Sequence, residues 1–313
     1  MSAPDLGTLP ASTLFRSYSG KGVSPAGSPP LIRDCERGRY LADDRLASAV
    51  RTAIAVERPL LVTGEPGTGK SALAWSIASE LGLGPVLEFH TRSDHLARDV
   101  LYSFDHVLRF YEAQTHIARA ADPSAYVSLR ALGQALSSPR RRVVLIDEID
   151  KASRDFPNDL LNELDRMEFT IAETGQTFRA RYRPIVIITS NSERRLPEPF
   201  LRRCVFHEIR FPDAATLTQI LRERLGPELQ DELLSAAAQQ LLLVRQLRPL
   251  HKPPATAELV LWTQMLHLAG FSAEQLRRTP LCELPFSELL LKTSDDIGTL
   301  HSAASARSAR VAS

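Results

Sequence analysis

The stretch GEPGTGKS, residues 64–71, sets three glycines, a lysine and a hydroxyl in the order G-x-x-x-x-G-K-[ST], behind the apolar run PLLVT and ahead of SALAWSIASELG. A phosphate needs many donors and no bulky side chain in the way. Gly64, Gly67 and Gly69 let the backbone approach and take angles closed to other residues, so that consecutive N–H groups face phosphate oxygens. The helix that follows adds the positive end of its dipole at the same spot. Lys70 would reach the β- and γ-phosphates of a nucleotide, and Ser71 would ligate Mg²⁺.

A second stretch, RRRVVLIDEIDKA, carries the apolar residues 143–146 into Asp147 and Glu148. Delivering two carboxylates to the end of a buried strand is costly unless something binds them. Mg²⁺ with its phosphate ligands provides that compensation: Asp147 would hold the ion through water beside Ser71, and Glu148 would polarise an attacking water as general base. A third stretch, RPIVIITSN, ends in Thr189, Ser190 and Asn191. An uncharged amide there can orient a water or touch the γ-phosphate without competing for protons, although asparagine at a strand end is also a common turn former. Then LPEPFLRRCVFHEIRFP brings Arg202 and Arg203 ahead of an apolar strand, with no local acidic pairing to explain them. Such an arginine can stabilise charge on γ-phosphoryl oxygens, from its own chain or from a neighbour's.

The elements that must position these residues are short apolar runs alternating with helical patterns. That alternation predicts an α/β fold, a parallel sheet flanked by helices, with ligands gathering beyond the carboxyl ends of the strands. After about Asp213 the period is helical throughout, with Gly226 and Gly270 as stops, and a small all-helical domain is expected. The reading divides the chain into a flexible arm over 1–38, a nucleotide-binding α/β domain over 39–212, a helical lid over 213–295 and a disordered tail over 296–313.

Composition bounds the alternatives. The chain has 313 residues, 43% hydrophobic and 24% charged, with a formal charge of +1. It holds no apolar run long enough to span a membrane, and its start lacks the pattern of a signal peptide. Cys35, Cys204 and Cys282 lie far apart in no ligand spacing, and His90 and His95 around Asp94 read as a loop rather than a metal site. A cytoplasmic location is the expectation.

The ordered set GEPGTGKS, VVLIDEID, ITSN and LPEPFLRRC closely resembles the AAA+ ATPases. The stretches LLVTGEPGTGKSALAWSIASELG, DEIDKASRDFPNDLLNELD and ITSNSERRLPEPFLRRCVF resemble the MoxR branch, strongly over about 41–212 and weakly over the lid. The resemblance implies an AAA+ P-loop core with a helical lid. It implies nucleotide contacts from Gly64, Glu65, Pro66, Gly67, Thr68, Gly69, Lys70, Ser71 and Ala72, and Walker B roles for Asp147 and Glu148. It implies the sensor-1 role for Asn191, and the likeness of LRRC to the arginine-finger motif of clamp loaders implies the finger role for Arg203, with Arg202 as the alternative. The implied cofactors are ATP and Mg²⁺, the latter held by Ser71 and Asp147.

Two further stretches fit the same branch. EFTIAETGQTFRARYRP reads as a hairpin, and RDVLYSFDHVLRFYEAQTHIARA is amphipathic near the place where similar proteins insert pore-facing structure; each also fits ordinary packing. One departure is the sensor-2 position, where RPLHKPPATAEL places alanine and leaves Lys252 or Arg248 as substitutes.

The resemblance implies an ATPase of chaperone-like remodelling type, assembled as a homo-oligomeric ring, a hexamer by analogy. Its client would be a separate protein, with von Willebrand A domains the class such proteins serve. A nucleic-acid motor of clamp-loader or restriction type has only SSPRRR and FRARYR in its favour, against a near-neutral total charge. A non-hydrolysing switch is disfavoured by the presence of Lys70, Asp147 and Glu148 together.

Overall fold

The computed structural model describes residues 6–14, 17–21, 40–115 and 121–311. Nine strands are described: β1 Leu60–Gly64, β2 Leu87–His90, β3 Tyr102–Phe104, β4 Val127–Leu129, β5 Val143–Asp147, β6 Glu168–Thr170, β7 Thr177–Arg179, β8 Ile185–Ser190 and β9 Val205–Ile209. Five of them form one sheet in the order β2-β5-β8-β1-β9, and every pairing in it is parallel.

The sequence dictates the layers through its period of two. Leu61, Val144, Ile146, Val186 and Ile188 point into a cluster on one face. Their neighbours Leu60, Val62, Val143, Leu145, Ile185 and Ile187 point into a second cluster on the other. Both faces are apolar because helices cover both, as a wholly parallel sheet requires. In β8, at the centre, all six residues are buried.

The chain falls into two compact units. One holds Tyr40–Gly64 and Gly69–Ile209 with the described residues near the N-terminus; the other holds Glu65–Thr68 and Arg210–Ser313. The second unit is helical, its core gathered around Trp262, which is fully buried and donates through Nε1 to the Pro285 carbonyl at 2.7 Å. Asp213 caps its first long helix, Ala214–Leu225, and Gly226 ends it.

Two expectations about the ends need correction. Part of the stretch expected as a flexible arm is packed: Leu14 and Tyr18 have no exposure and join the second-face cluster. The buried carboxylate of Glu80 accepts from the backbone of Ser19 and Gly20. The rest of that stretch, 1–5, 15–16 and 22–38, lies outside the described residues, Cys35 included. At the other end, where a disordered tail was expected, a helix runs over Ser294–Val311. Asp296 is fully buried and accepts from the backbone of His251 and Lys252 at 2.7 and 3.1 Å, and Leu300 packs into the Trp262 cluster.

The amphipathic stretch around 98–120 is not one helix. It breaks into β3, paired antiparallel with β4, and a helix His106–Thr115, while 116–120 lie outside the described residues. The stretch expected as a hairpin is one, β6 against β7, antiparallel. The basic stretches are only partly open, since Arg140, Arg179 and Arg181 are exposed while the other arginines are engaged by the fold. Arg141 is 4% exposed beside Glu57, Arg142 donates to the Pro85 carbonyl, and Arg179 and Arg183 face Glu168 and Glu57.

Gly133 marks the closest approach in this part of the core: a Cβ there would lie 1.9 Å from the Leu101 carbonyl oxygen, which also accepts from Arg130 N at 2.8 Å. Gly133→Ala should therefore cost about 2 kcal/mol by overpacking, although alanine is the better helix former by about 1 kcal/mol. The melting midpoint is expected to fall by roughly 4–8 °C. Gly298→Ala, where nothing lies within 4 Å of the added atom, should show no loss in the same measurement.

Candidate nucleotide site

The parallel register brings the polar strand ends together. His90 pairs with Asp147 in position, Thr63 with Ser190 and Gly64 with Ile209. β1 and β5 are separated only by β8, so Gly64 at the end of β1 and the carboxylates at the end of β5 flank the tip of the buried central strand. A crevice at strand carboxyl ends is where open α/β sheets bind ligands.

Gly64, Gly67 and Gly69 all have positive φ, at 147°, 75° and 89°. A Cβ on Gly69 would sit 3.2 Å from the Tyr40 ring, so the turn into the helix Lys70–Glu80 has neither the angles nor the room for another residue. Within 65–68, the Thr68 hydroxyl donates to the Glu65 carbonyl at 2.8 Å and tightens the turn. Lys70 is only 6% exposed, and its ammonium donates to the Gly64 carbonyl at 2.9 Å. Ala72 follows inside the first turn of that helix.

Asp147 is the hub. Its Oδ1 accepts from the Ser71 hydroxyl at 2.7 Å and from the Thr189 hydroxyl at 2.6 Å, while Oδ2 faces His90 Nδ1 at 3.3 Å. A hydroxyl that donates its one proton to Asp147 keeps its lone pairs for a cation. Ser71 Oγ beside a carboxylate is thus an oxygen donor set suited to Mg²⁺, which takes one or two protein ligands and completes its shell with water and phosphate. Among the described residues no group of three or more His, Cys, Asp or Glu stands in metal-binding array.

Glu148 lies beside this hub in a left-handed conformation, φ 56°, uncommon for a residue with a side chain. Its backbone N–H donates to Thr189 Oγ1 at 2.8 Å, and its carboxylate accepts from Asn191 Nδ2 at 3.0 Å and pairs with Lys151. The Glu148 carboxylate holds the Lys151 ammonium above its ordinary range. Asp150, 3% exposed, accepts from the backbone N–H of Asn191 and Glu193 at 3.3 and 3.0 Å, and so fixes the turn that aims Asn191.

The structure therefore brings Lys70, Ser71, Asp147, Glu148 and Asn191 to one corner and leaves Arg202 and Arg203 with other partners. Arg202 pairs with Glu198, four residues back on its own helix turn. This corrects the expectation that no local acid explains the arginines. Arg203 donates through Nε to Asp165 at 2.6 Å and through Nη1 to the Pro199 carbonyl at 3.1 Å. In the second unit Arg248 turns back onto the Arg245 and Leu247 carbonyls. It is Arg245 that pairs with Glu65, stacking 3.6 Å over the Phe211 ring. His95 accepts from Arg92 N–H at 3.2 Å. Burial pushes the Cys204 thiol well above its ordinary range.

Sequence reading missed the full part played by Thr189 and Asp150. Thr189 was visible only as part of a polar strand tip, and its two-way bond needs the register of β5 and β8.

Residues 60–213 match the family described as ATPase family associated with various cellular activities (AAA). The chain thus carries an AAA ATPase domain, and the five-stranded parallel sheet with its following helices is an AAA+ P-loop core with a helical lid. The chain is also 31% identical over 175 residues to the Lon protease of Metamycoplasma arthritidis (strain 158L3-1), a match taking in 53% of this chain and 19% of that protein. It therefore spans about a fifth of that relative's length. Among the described residues no helix is long and apolar enough to cross a membrane.

Thr189→Val removes the hydroxyl that bridges Glu148 N–H and Asp147, and leaves a partly buried donor without a partner. The expected cost is about 1–3 kcal/mol, read by denaturant titration of the nucleotide-free protein. Thr189→Ser, which keeps the hydroxyl, should recover most of it.

Proposed function

We propose that this chain is an ATP-hydrolysing AAA+ motor of MoxR type, assembling as a homo-oligomeric ring, with six subunits expected, to remodel a separate protein client. The observation that carries the proposal is the Ser71–Asp147–Thr189 cluster beside the Glu148–Asn191 pair. A similar protein named as a protease supports a polypeptide client, and a partner bearing a von Willebrand A domain is the class the MoxR resemblance suggests.

ATP and Mg²⁺ supply the transferable phosphoryl group and the charge that polarises it. The chain's own residues bind and orient. The glycine turn and Lys70 hold the phosphates, and Ser71 with Asp147 holds the ion. Asn191 steadies the Glu148 carboxylate, which takes the proton of the attacking water. Arg203, bonded to Asp165 and Pro199, is suited to a neighbour's γ-phosphate, where a planar fork stabilises spreading charge.

Lys70→Ala should abolish ATP binding, whereas Glu148→Gln should keep binding and stop turnover, both read by nucleotide titration and phosphate release. With ATP bound, Glu148→Gln is expected to assemble in native mass measurements.

Arg203→Ala should bind ATP in its own loop and lose most of its turnover, since the missing charge matters chiefly in the transition state. Mixing Arg203→Ala with Lys70→Ala chains should restore hydrolysis, because one interface regains an intact loop and an intact finger. Mixed oligomers that stay inactive would overturn the shared site.

A further inference from the structure

We infer that Asp165 is the positioning residue for the arginine finger, holding the Arg203 fork in the orientation that presents it to a neighbouring subunit. The inference rests on the shared-site reading above and assigns a part to a residue outside every motif of the nucleotide site.

A guanidinium carries five N–H donors in a rigid plane. In Arg203 two of them are committed, Nε–H to Asp165 Oδ2 at 2.6 Å and one Nη1–H to the Pro199 carbonyl at 3.1 Å. Two bonds to different nitrogens fix both the position and the rotation of the plane. Among the described residues no contact takes Nη2, so its two donors and the second N–H of Nη1 remain for phosphate oxygens, and a forked contact draws on one N–H from each of these two nitrogens.

The two anchors are themselves held. Asp165 lies on the helix Leu161–Arg166, where Leu164 is 3% exposed. Its carbonyl accepts from Arg183 Nη2 at 2.7 Å. Pro199 lies on the helix Glu198–Leu201, pinned by Phe200 with no exposure. Arg203 thus bridges two elements that the core fixes separately. Arg202 has no such bridge, since it is 75% exposed and pairs within its own helix turn.

Stability alone does not account for the pair. Arg203 and Asp165 are 40% and 48% exposed, and an ion pair in that setting contributes little to folding. Orientation is a different matter, because a displacement of about 1 Å at a group that stabilises a transition state costs orders of magnitude in rate. A carboxylate on Nε leaves nucleotide binding in the chain's own loop untouched. Its loss therefore lowers kcat and not the affinity for ATP.

The test uses full-length chains mixed in pairs, with Arg203→Ala chains supplying the loop and Lys70→Ala chains supplying the finger. Adding Asp165→Ala to the finger-supplying chain should lower the restored turnover about tenfold, while adding it to the loop-supplying chain should leave the restored turnover as it was. Asp165→Asn, which keeps one acceptor oxygen, should fall between; it carries the same comparison if the alanine variant melts early. Restored turnover that ignores Asp165→Ala in the finger chain overturns the inference and leaves the shared site standing. A loss that follows the loop chain, or a raised KM for ATP, makes Asp165 a structural residue of its own chain and also overturns it. No restoration even with Asp165 intact overturns the shared site, and the inference with it.

Discussion

A carboxylate at the tip of a buried parallel strand is the constraint around which the first unit is arranged. Asp147 ends β5, a strand otherwise without exposure, and leaving that charge without donors would cost several kcal/mol. The hydroxyls of Ser71 and Thr189 meet it from two other elements. For both to reach one oxygen, β1, β5 and β8 must be parallel, neighbouring and in one register, and the glycine turn must deliver Ser71 to the start of its helix. The sheet order is thus tied to a few short hydrogen bonds as well as to its apolar faces.

The same corner explains the unusual backbone at Glu148. A left-handed residue with a side chain is held only where its surroundings over-determine it. Here Thr189 takes the backbone donor and Asn191 and Lys151 take the carboxylate, while buried Asp150 locks the opposing turn. An acid beside the hub but not part of it gives the corner two carboxylates in different settings, one held by two hydroxyls and one by an amide and an ammonium.

Burial at the ends of the chain follows from area. Two apolar faces need cover, and Leu14 and Tyr18 supply some of it for the second-face cluster, with Glu80 capping the turn that brings them in. In the second unit Asp296 and Leu300 do comparable work for a smaller core that has Trp262 at its centre.

Local pattern determined much of this protein by itself. The glycine spacing of 64–71 fixes a tight turn with positive φ because few other residues can take those angles, and the period-two runs at β1, β5 and β8 fix a sheet covered on both faces. The order of the motifs fixed which strand ends carry polar residues. Tertiary structure alone decided the rest, because it depends on residues far apart in the chain. Thr189 becomes a bridge only when β8 lies between β1 and β5. Arg141 turns from an apparent basic patch into a buried partner of Glu57. The polar, small-residue ends gain structure because a core elsewhere has room for Leu14, Tyr18 and Leu300, which no local pattern announces. Arg203 finds Asp165 across 38 residues of sequence, a pairing set by two helices packing on one core and not by any spacing the chain displays.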